Sequence, residues 1–232
     1  MALSTEIDDL PNERIIAIDG TSGSGKSTIA RELGKELELK VLETGSLYRA
    51  ATLLCLENGI DVDDEDQICE QVLNMDFRFE EKPFLGSRDI TNEIRKREVA
   101  SQVSQVSVHP KVRKLLTELM RKWIVEHDGG IVEGRDITSV VAPKARVRLF
   151  IDAPEDVRAH RRTSDPSDNK ESRTQKEIQD LIAMRDKIDS SRKSAPLVQL
   201  DGVPCIDTSL YELETIIRAI VVHYKSGQPL EL

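Results

Sequence analysis

Residues 14–39 read RIIAIDGTSGSGKSTIARELGKELEL, and the hydrophobic period changes in the middle of that stretch. RIIAID is a short apolar, β-branched run, which predicts a strand covered on both faces. From Ser27 onward Ile29, Ala30, Leu33 and Leu37 recur at helical spacing. Between the two, Gly20-Thr21-Ser22-Gly23-Ser24-Gly25-Lys26-Ser27 fits the spacing G-x-x-x-x-G-K-[ST] at every fixed position. Glycines open backbone dihedrals closed to other residues, so successive N–H groups can turn inward around an anion. The positive end of the following helix adds to the same spot. Lys26 would reach the β- and γ-phosphates of a nucleoside triphosphate, the Ser27 hydroxyl would ligate Mg²⁺, and Thr28 completes the loop.

Outward from this loop, KVLET, GGIVEG, RVRLFIDA and VPCIDTS are further short strand candidates, each separated from the next by helical patterns. That alternation predicts an α/β fold with a parallel sheet flanked by helices. Residues from about 61 to 103 interrupt the rhythm, and DFRFEEKPFLGSRDIT reads as a small inserted β-containing lobe. DPSDNKESR, residues 165–173, is polar and turn-rich and reads as a mobile loop; residues 1–13 read as a loose polar lead-in. The last helical pattern sets Leu213, Ile216, Ile217, Ile220 and Val221 on one face, ordinary core packing.

A chain of 232 residues fits one domain with a small insertion. A net charge of −9 and 3% aromatic residues argue against a nucleic-acid surface and against base-stacking platforms. A small anionic substrate stays open, because a few converging arginines outweigh the global sign locally. No apolar run approaches the length of a membrane span, and no signal pattern opens the chain, so a cytoplasmic protein without membrane attachment is expected. Cys55, Cys69 and Cys205 are odd in number and form no C-x-x-C, which speaks against a disulfide framework or a zinc site.

The acceptor of the phosphoryl group is signalled by arginines. ETGSLYR (43–49) puts Thr44, Tyr48 and Arg49 at a strand-to-helix junction, where open α/β sheets bind ligands, and EGRDITSVV (133–141) places Arg135 and Asp136 after a third strand. Arg185, Asp189 and Arg192 share one helix face, and Arg158, Arg161 and Arg162 are neighbours on another helix. RDKIDSSR alone could be an ordinary ion-pair ladder. Together the clusters suit a site that neutralises two phosphate-bearing substrates and spreads transition-state charge. The N-K-x-D pattern of guanine readers is absent, and the scattered His109, His127, His160 and His223 are read as surface or packing residues.

Five blocks in order, IDGTSGSGKST, ETGSLYRA, EIRKREVASQVSQVSVHPKVR, EGRDITSVVAPKARVRLFIDA with RAHRR, and RDKIDSSRKSAPL, resemble the cytidylate kinase family of bacterial nucleoside monophosphate kinases from Arg14 to Tyr224. The resemblance implies a P-loop kinase core with a five-stranded parallel sheet over residues 14–224, an inserted CMP-binding lobe at about 61–104 and a mobile lid at about 158–173. It implies phosphoryl transfer from ATP, with Mg²⁺, to CMP and dCMP, by a monomer. Arg49, Arg135 and Arg192 would hold the CMP phosphate, Ser104, Arg113 and Asp136 would read cytosine, and Arg185 and Asp189 would meet the ribose. Arg158 and Arg162 would close over ATP, and Lys26, Arg135, Arg162 and Arg192 would carry the chemistry. An acidic acceptor suits the exocyclic amine of cytosine and disfavours the oxygen of uracil. Thr21, Glu43 and Thr138 depart from the commonest family residues, proline, aspartate and glycine. Two rival readings remain at this level: a P-loop kinase for another small acceptor such as shikimate, dTMP or AMP, and a nucleotide-binding module without turnover.

Overall fold

A computed structural model describes residues 10–164 and 174–232. The stretch expected to be a mobile loop, 165–173, and the first nine residues of the lead-in lie outside those described. The rest of the lead-in is packed rather than loose: Leu10 is buried in the core and Asn12–Arg14 form a 3₁₀ turn.

The chain runs through β1 (Ile15–Gly20), α1 (Lys26–Leu37), β2 (Val41–Glu43), α2 (Thr44–Glu57) and α3 (Glu65–Leu73). Then come β3 (Phe77–Phe79), β4 (Pro83–Leu85), β5 (Arg88–Asp89), α4 (Arg97–Val106) and α5 (Pro110–Glu126). β6 (Gly130–Glu133) is followed by a π turn, Ile137–Val141, and by β7 (Val147–Asp152), α6 (Glu155–Ser164), α7 (Gln175–Ser191), β8 (Cys205–Asp207) and α8 (Leu213–Ser226).

The five strand candidates form one sheet in the order β2-β6-β1-β7-β8, every neighbouring pair parallel. β1 is central and its side chains divide between two cores. Ile15 and Ala17 pack with Leu42, Val132 and residues of α2, α4 and α5; Ile16 and Ile18 pack with Ile29 and Leu33 of α1 and with Ile216 and Ile220 of α8. Both faces being covered, β1 has no polar face and reads as a continuous apolar run. Removing one such buried side chain costs about 2–5 kcal/mol.

Because the strands are parallel, Gly20, Glu43, Glu133, Asp152 and Asp207 all end on one edge of the sheet. Open parallel sheets bind ligands outside that edge. Within the interrupting stretch, α3 and α4 flank a three-stranded antiparallel sheet, β3-β4-β5. The Trp123 indole of α5 donates to the Phe79 carbonyl at 3.3 Å and ties that sheet to the main body. α7 starts with a capping box: the Thr174 hydroxyl accepts from the Glu177 amide, and the Glu177 carboxylate accepts from the Thr174 amide. No helix among the described residues is long and apolar enough to cross a membrane.

Candidate active site

A cavity of about 780 Å³ opens at the carboxyl edge of the sheet, within the range of small-ligand sites. Its donor end is the loop between β1 and α1. A Cβ on Gly20 would lie 1.9 Å from the Ile151 carbonyl oxygen, and Gly25, at φ 96, caps α1 in the left-handed region. Neither position accommodates a side chain without moving the loop. The Lys26 ammonium donates to the Thr21 carbonyl at 2.6 Å. Burial, then the charge of Arg135, pushes it down to about 7. A bound polyphosphate would supply the anion this ammonium lacks.

Several side chains brace the loop from behind. The Thr21 hydroxyl donates to Asp152 Oδ1 at 2.6 Å. Arg161 donates to the Thr208 hydroxyl at 2.7 Å and to its carbonyl at 2.9 Å, while the same hydroxyl donates to the Ser24 carbonyl at 2.9 Å. Arg158, expected on the side that closes over ATP, is buried and donates to the carbonyls of Ser22 and Ala153, each at 2.9 Å. Arg162 extends from the same helix towards the loop, its Nη1 3.5 Å from the Ser22 hydroxyl.

A set of oxygen donors lies beside the loop. The Ser27 hydroxyl donates to Glu133 Oε1 at 3.0 Å, and Glu43, level with Glu133 on the neighbouring strand, is held by Arg31 at 2.5 Å. Burial first, then the Glu133 charge, raises the Glu43 carboxyl. Two neighbouring carboxylates next to a hydroxyl make an oxygen-only set suited to a hard divalent cation. Among the described residues no cluster of three or more acidic, cysteine or histidine side chains forms a metal cage. The set therefore fits Mg²⁺ held by one or two protein oxygens together with phosphate and water.

The acceptor end is a lattice of guanidinium and carboxylate groups from four parts of the chain. The Thr44 hydroxyl donates to the Glu133 carbonyl at 2.8 Å, locking the start of α2 to the end of β6. Asp189 of α7 meets Arg135 at 3.0 Å, Arg192 at 3.2 Å and Arg185 at 4.0 Å. Burial alone would raise the Asp189 carboxyl, yet Arg135, Arg185 and Arg192 hold it below its usual range. Burial, then Arg135 and Arg49, pushes the Arg185 guanidinium down to about 9. One carboxylate serves several cations here, so the cluster is short of negative charge, and a phosphate monoester would relieve it.

Arg113 and Asp136 close the same cavity. Their side chains meet at 2.6 Å, and Arg113 also donates to the Ser107 carbonyl at 3.0 Å and lies 5.3 Å over the Tyr48 ring. Among the described residues the buried Tyr48 hydroxyl and the buried Nε atoms of Arg113 and Arg192 have no hydrogen-bond partner. Unsatisfied buried groups facing one cavity mark where a polar ligand would bond. Ser104 and Arg49 line the cavity, and Arg49 also donates to the Ile94 carbonyl at 2.9 Å.

The structure thus brings Arg49, Ser104, Arg113, Arg135, Asp136, Arg185, Asp189 and Arg192 to the cavity that holds Lys26, Ser27 and Arg162; of the residues named in advance, Arg158 sits behind the loop. Sequence reasoning missed Glu133, Asp19 and Asp186. Asp19 is fully buried and accepts from the amides of Ile137 and Thr138, each at 2.8 Å, and from the Thr138 hydroxyl at 2.6 Å. With the Gly134 amide donating to the Ile18 carbonyl at 2.9 Å, it pins both ends of the segment bearing Arg135 and Asp136 to β1. The available signal was a carboxylate at the end of a buried apolar strand, IIAID and GGIVE.

The model of the cytidylate kinase family matches residues 16–226 of the chain. A cytidylate kinase of Clostridioides difficile is 37% identical over 208 residues, 89% of this chain and 96% of that one. One from Exiguobacterium sibiricum is 37% identical over 210 residues, 88% of this chain and 94% of the relative. One from Carboxydothermus hydrogenoformans is 36% identical over 211 residues, covering 89% and 95% respectively.

Proposed function

The chain belongs to the cytidylate kinase family, and from that premise we propose that its cavity transfers the γ-phosphoryl group of ATP to CMP and dCMP, giving ADP and the corresponding diphosphate. The observation that carries this reading is the buried Arg113–Asp136 pair, which shares one cavity with the phosphate loop and with a guanidinium cluster short of anions.

The loop from Gly20 to Thr28 holds the triphosphate, with Lys26 against its β- and γ-phosphates. Ser27, with Glu133 beside it, holds Mg²⁺, which when bound neutralises charge on the phosphate oxygens. Arg49, Arg135 and Arg192 hold the phosphate of the acceptor, and Arg185 and Asp189 meet its ribose. Tyr48 and Thr44 shape that pocket, the Tyr48 ring carrying Arg113. Ser104, Arg113 and Asp136 read the cytosine edge: Asp136 accepts from the exocyclic amine and Arg113 donates to the ring's acceptors. An α3–α4 lobe at about residues 61–104 forms part of the acceptor side, and α6 with Arg162 closes the donor side.

In the transfer an oxygen of the CMP phosphate forms a bond to the γ-phosphorus as the bond to the β–γ bridging oxygen breaks and ADP leaves. The attacking oxygen is already anionic, so no general base is required. Positioning and charge stabilisation supply the acceleration. Lys26, Arg135, Arg162 and Arg192 are the cations placed for it. Three free thiols and the use of ATP suit the cytoplasm.

The test is ADP release with CMP, dCMP, UMP and AMP as acceptors. CMP and dCMP should turn over well and UMP and AMP poorly. Preference for AMP or UMP would overturn the base assignment, and ATP binding without CMP-dependent ADP release would overturn the activity.

A further inference from the structure

α7 touches both halves of the cavity. From one face Arg185, Asp189 and Arg192 enter the acceptor cluster. Asp186, next to Arg185, turns the other way. Its Oδ1 accepts from the Ser22 amide of the phosphate loop at 2.9 Å, and its Oδ2 accepts from Arg158 Nη1. Arg158 Nη1 also donates to the Ser22 carbonyl at 2.9 Å. Both backbone polar groups of Ser22 are therefore clamped by one ion pair, and one partner of that pair rides on the helix that carries the acceptor ligands. The Asp186 and Arg158 side chains are 15% and 9% exposed, so the pair is shielded from solvent screening.

We propose that Asp186 is a positioning residue that couples the two substrate sites, so that occupancy of the acceptor cluster tightens the phosphate loop on its nucleotide. A bound acceptor that meets Arg192 through its phosphate and Arg185 and Asp189 through its ribose orders α7, and α7 holds Ser22 through Asp186. Linkage makes the effect reciprocal: a bound triphosphate that orders the loop raises the affinity for CMP by the same factor. The inference rests on the two-substrate reading of the cavity, and its test separates the two.

Calorimetric titration of the full chain with CMP, with a non-hydrolysable ATP analogue, and with each in the presence of the other gives the coupling factor directly. We expect each ligand to tighten the other between about 5- and 150-fold in the unaltered protein, the usual range of site-to-site coupling. In Asp186→Ala the factor should fall to within about twofold of one, with CMP alone binding as before. Asp186→Asn keeps an oxygen for the Ser22 amide but loses the charge opposite Arg158, and its factor should lie between the two. Asn is isosteric, so it carries the test if the alanine variant fails to fold. A merely structural role would weaken each ligand without changing the ratio. Unaltered coupling in both variants, or no coupling in the unaltered protein, overturns the inference. Failure of the unaltered protein to bind CMP at all overturns the functional reading instead.

Discussion

The guanidinium of Arg113 meets the carboxylate of Asp136 at 2.6 Å with only 4% and 5% of the two side chains exposed, while the Nε of that same arginine has no hydrogen-bond partner among the described residues. Two opposite charges so deeply buried do little for stability by themselves, since desolvation offsets most of their attraction. Their value lies in offering a pyrimidine edge a fixed acceptor beside a fixed donor.

Asp136→Asn should therefore strike the base discrimination first. The substituted amide offers the cytosine amine a weaker acceptor and presents a donor where uracil has an oxygen. We expect kcat/KM for CMP to fall by about 10²–10³ and the ratio of UMP to CMP use to rise at least about tenfold, the scale at which sites built around one hydrogen bond discriminate. Steady-state kinetics with both acceptors check this. An unchanged ratio would place the base elsewhere.

Arg162 tests charge stabilisation. It reaches the donor loop from α6, its Nη1 3.5 Å from the Ser22 hydroxyl. Arg162→Ala should lower kcat by about 10²–10³ and leave KM for CMP within about threefold, the signature of an interaction made chiefly in the transition state. A large rise in KM with kcat preserved would assign Arg162 to ground-state binding.

Glu133 tests the metal assignment. Glu133→Gln keeps the bond from the Ser27 hydroxyl but removes the charge beside it. The Mg²⁺ concentration for half-maximal rate at fixed ATP should rise about 10- to 100-fold, the usual cost of altering an outer carboxylate. An unaltered Mg²⁺ requirement would remove Glu133 from the cation's surroundings.

Asp19 gives a pH dependence whose sign can be worked out. Burial raises its carboxyl from 3.8 to about 6, against the opposing hydrogen bonds from Thr138 and Ile137. The folded state therefore holds this proton more tightly than the unfolded chain does. Its contribution is fully present below the unfolded value and is lost as pH rises through about 6, by roughly 3 kcal/mol in all. Asp19→Asn should be less stable throughout, because its amide faces two backbone donors. The gap from the unaltered protein should narrow between about pH 4 and pH 6.5. Urea unfolding at a series of pH values measures it, and a constant gap would contradict the assignment.

How much of this was legible beforehand follows from which forces act locally. β1, the phosphate loop and α1 were legible because a change of hydrophobic period and a glycine spacing lie within 26 residues of sequence. The remaining four strands were legible as short apolar runs alternating with helical patterns. Arg49 and Arg135 could be placed at strand ends by the geometry of open sheets. Their convergence with Asp189 and Arg192 on one cavity is a tertiary event that no local pattern encodes, and only the family resemblance suggested it. Arg158 looked like Arg162, four residues on, because burial distinguishes them and burial is not written in spacing. Asp186 likewise resembled any solvated helix carboxylate until its partners Ser22 and Arg158 came into view.

The central claim is that one cavity clasps a cytidine monophosphate between the guanidinium cluster and the Arg113–Asp136 pair, in line with a triphosphate on the loop. The most direct measurement is a crystal structure of the complex with CMP and a non-hydrolysable ATP analogue. The account predicts the cytosine amine within hydrogen-bond distance of Asp136, the CMP phosphate on Arg49, Arg135 and Arg192, and one of its oxygens facing the γ-phosphorus. CMP bound outside this cavity, or with its base turned away from Asp136, would contradict it.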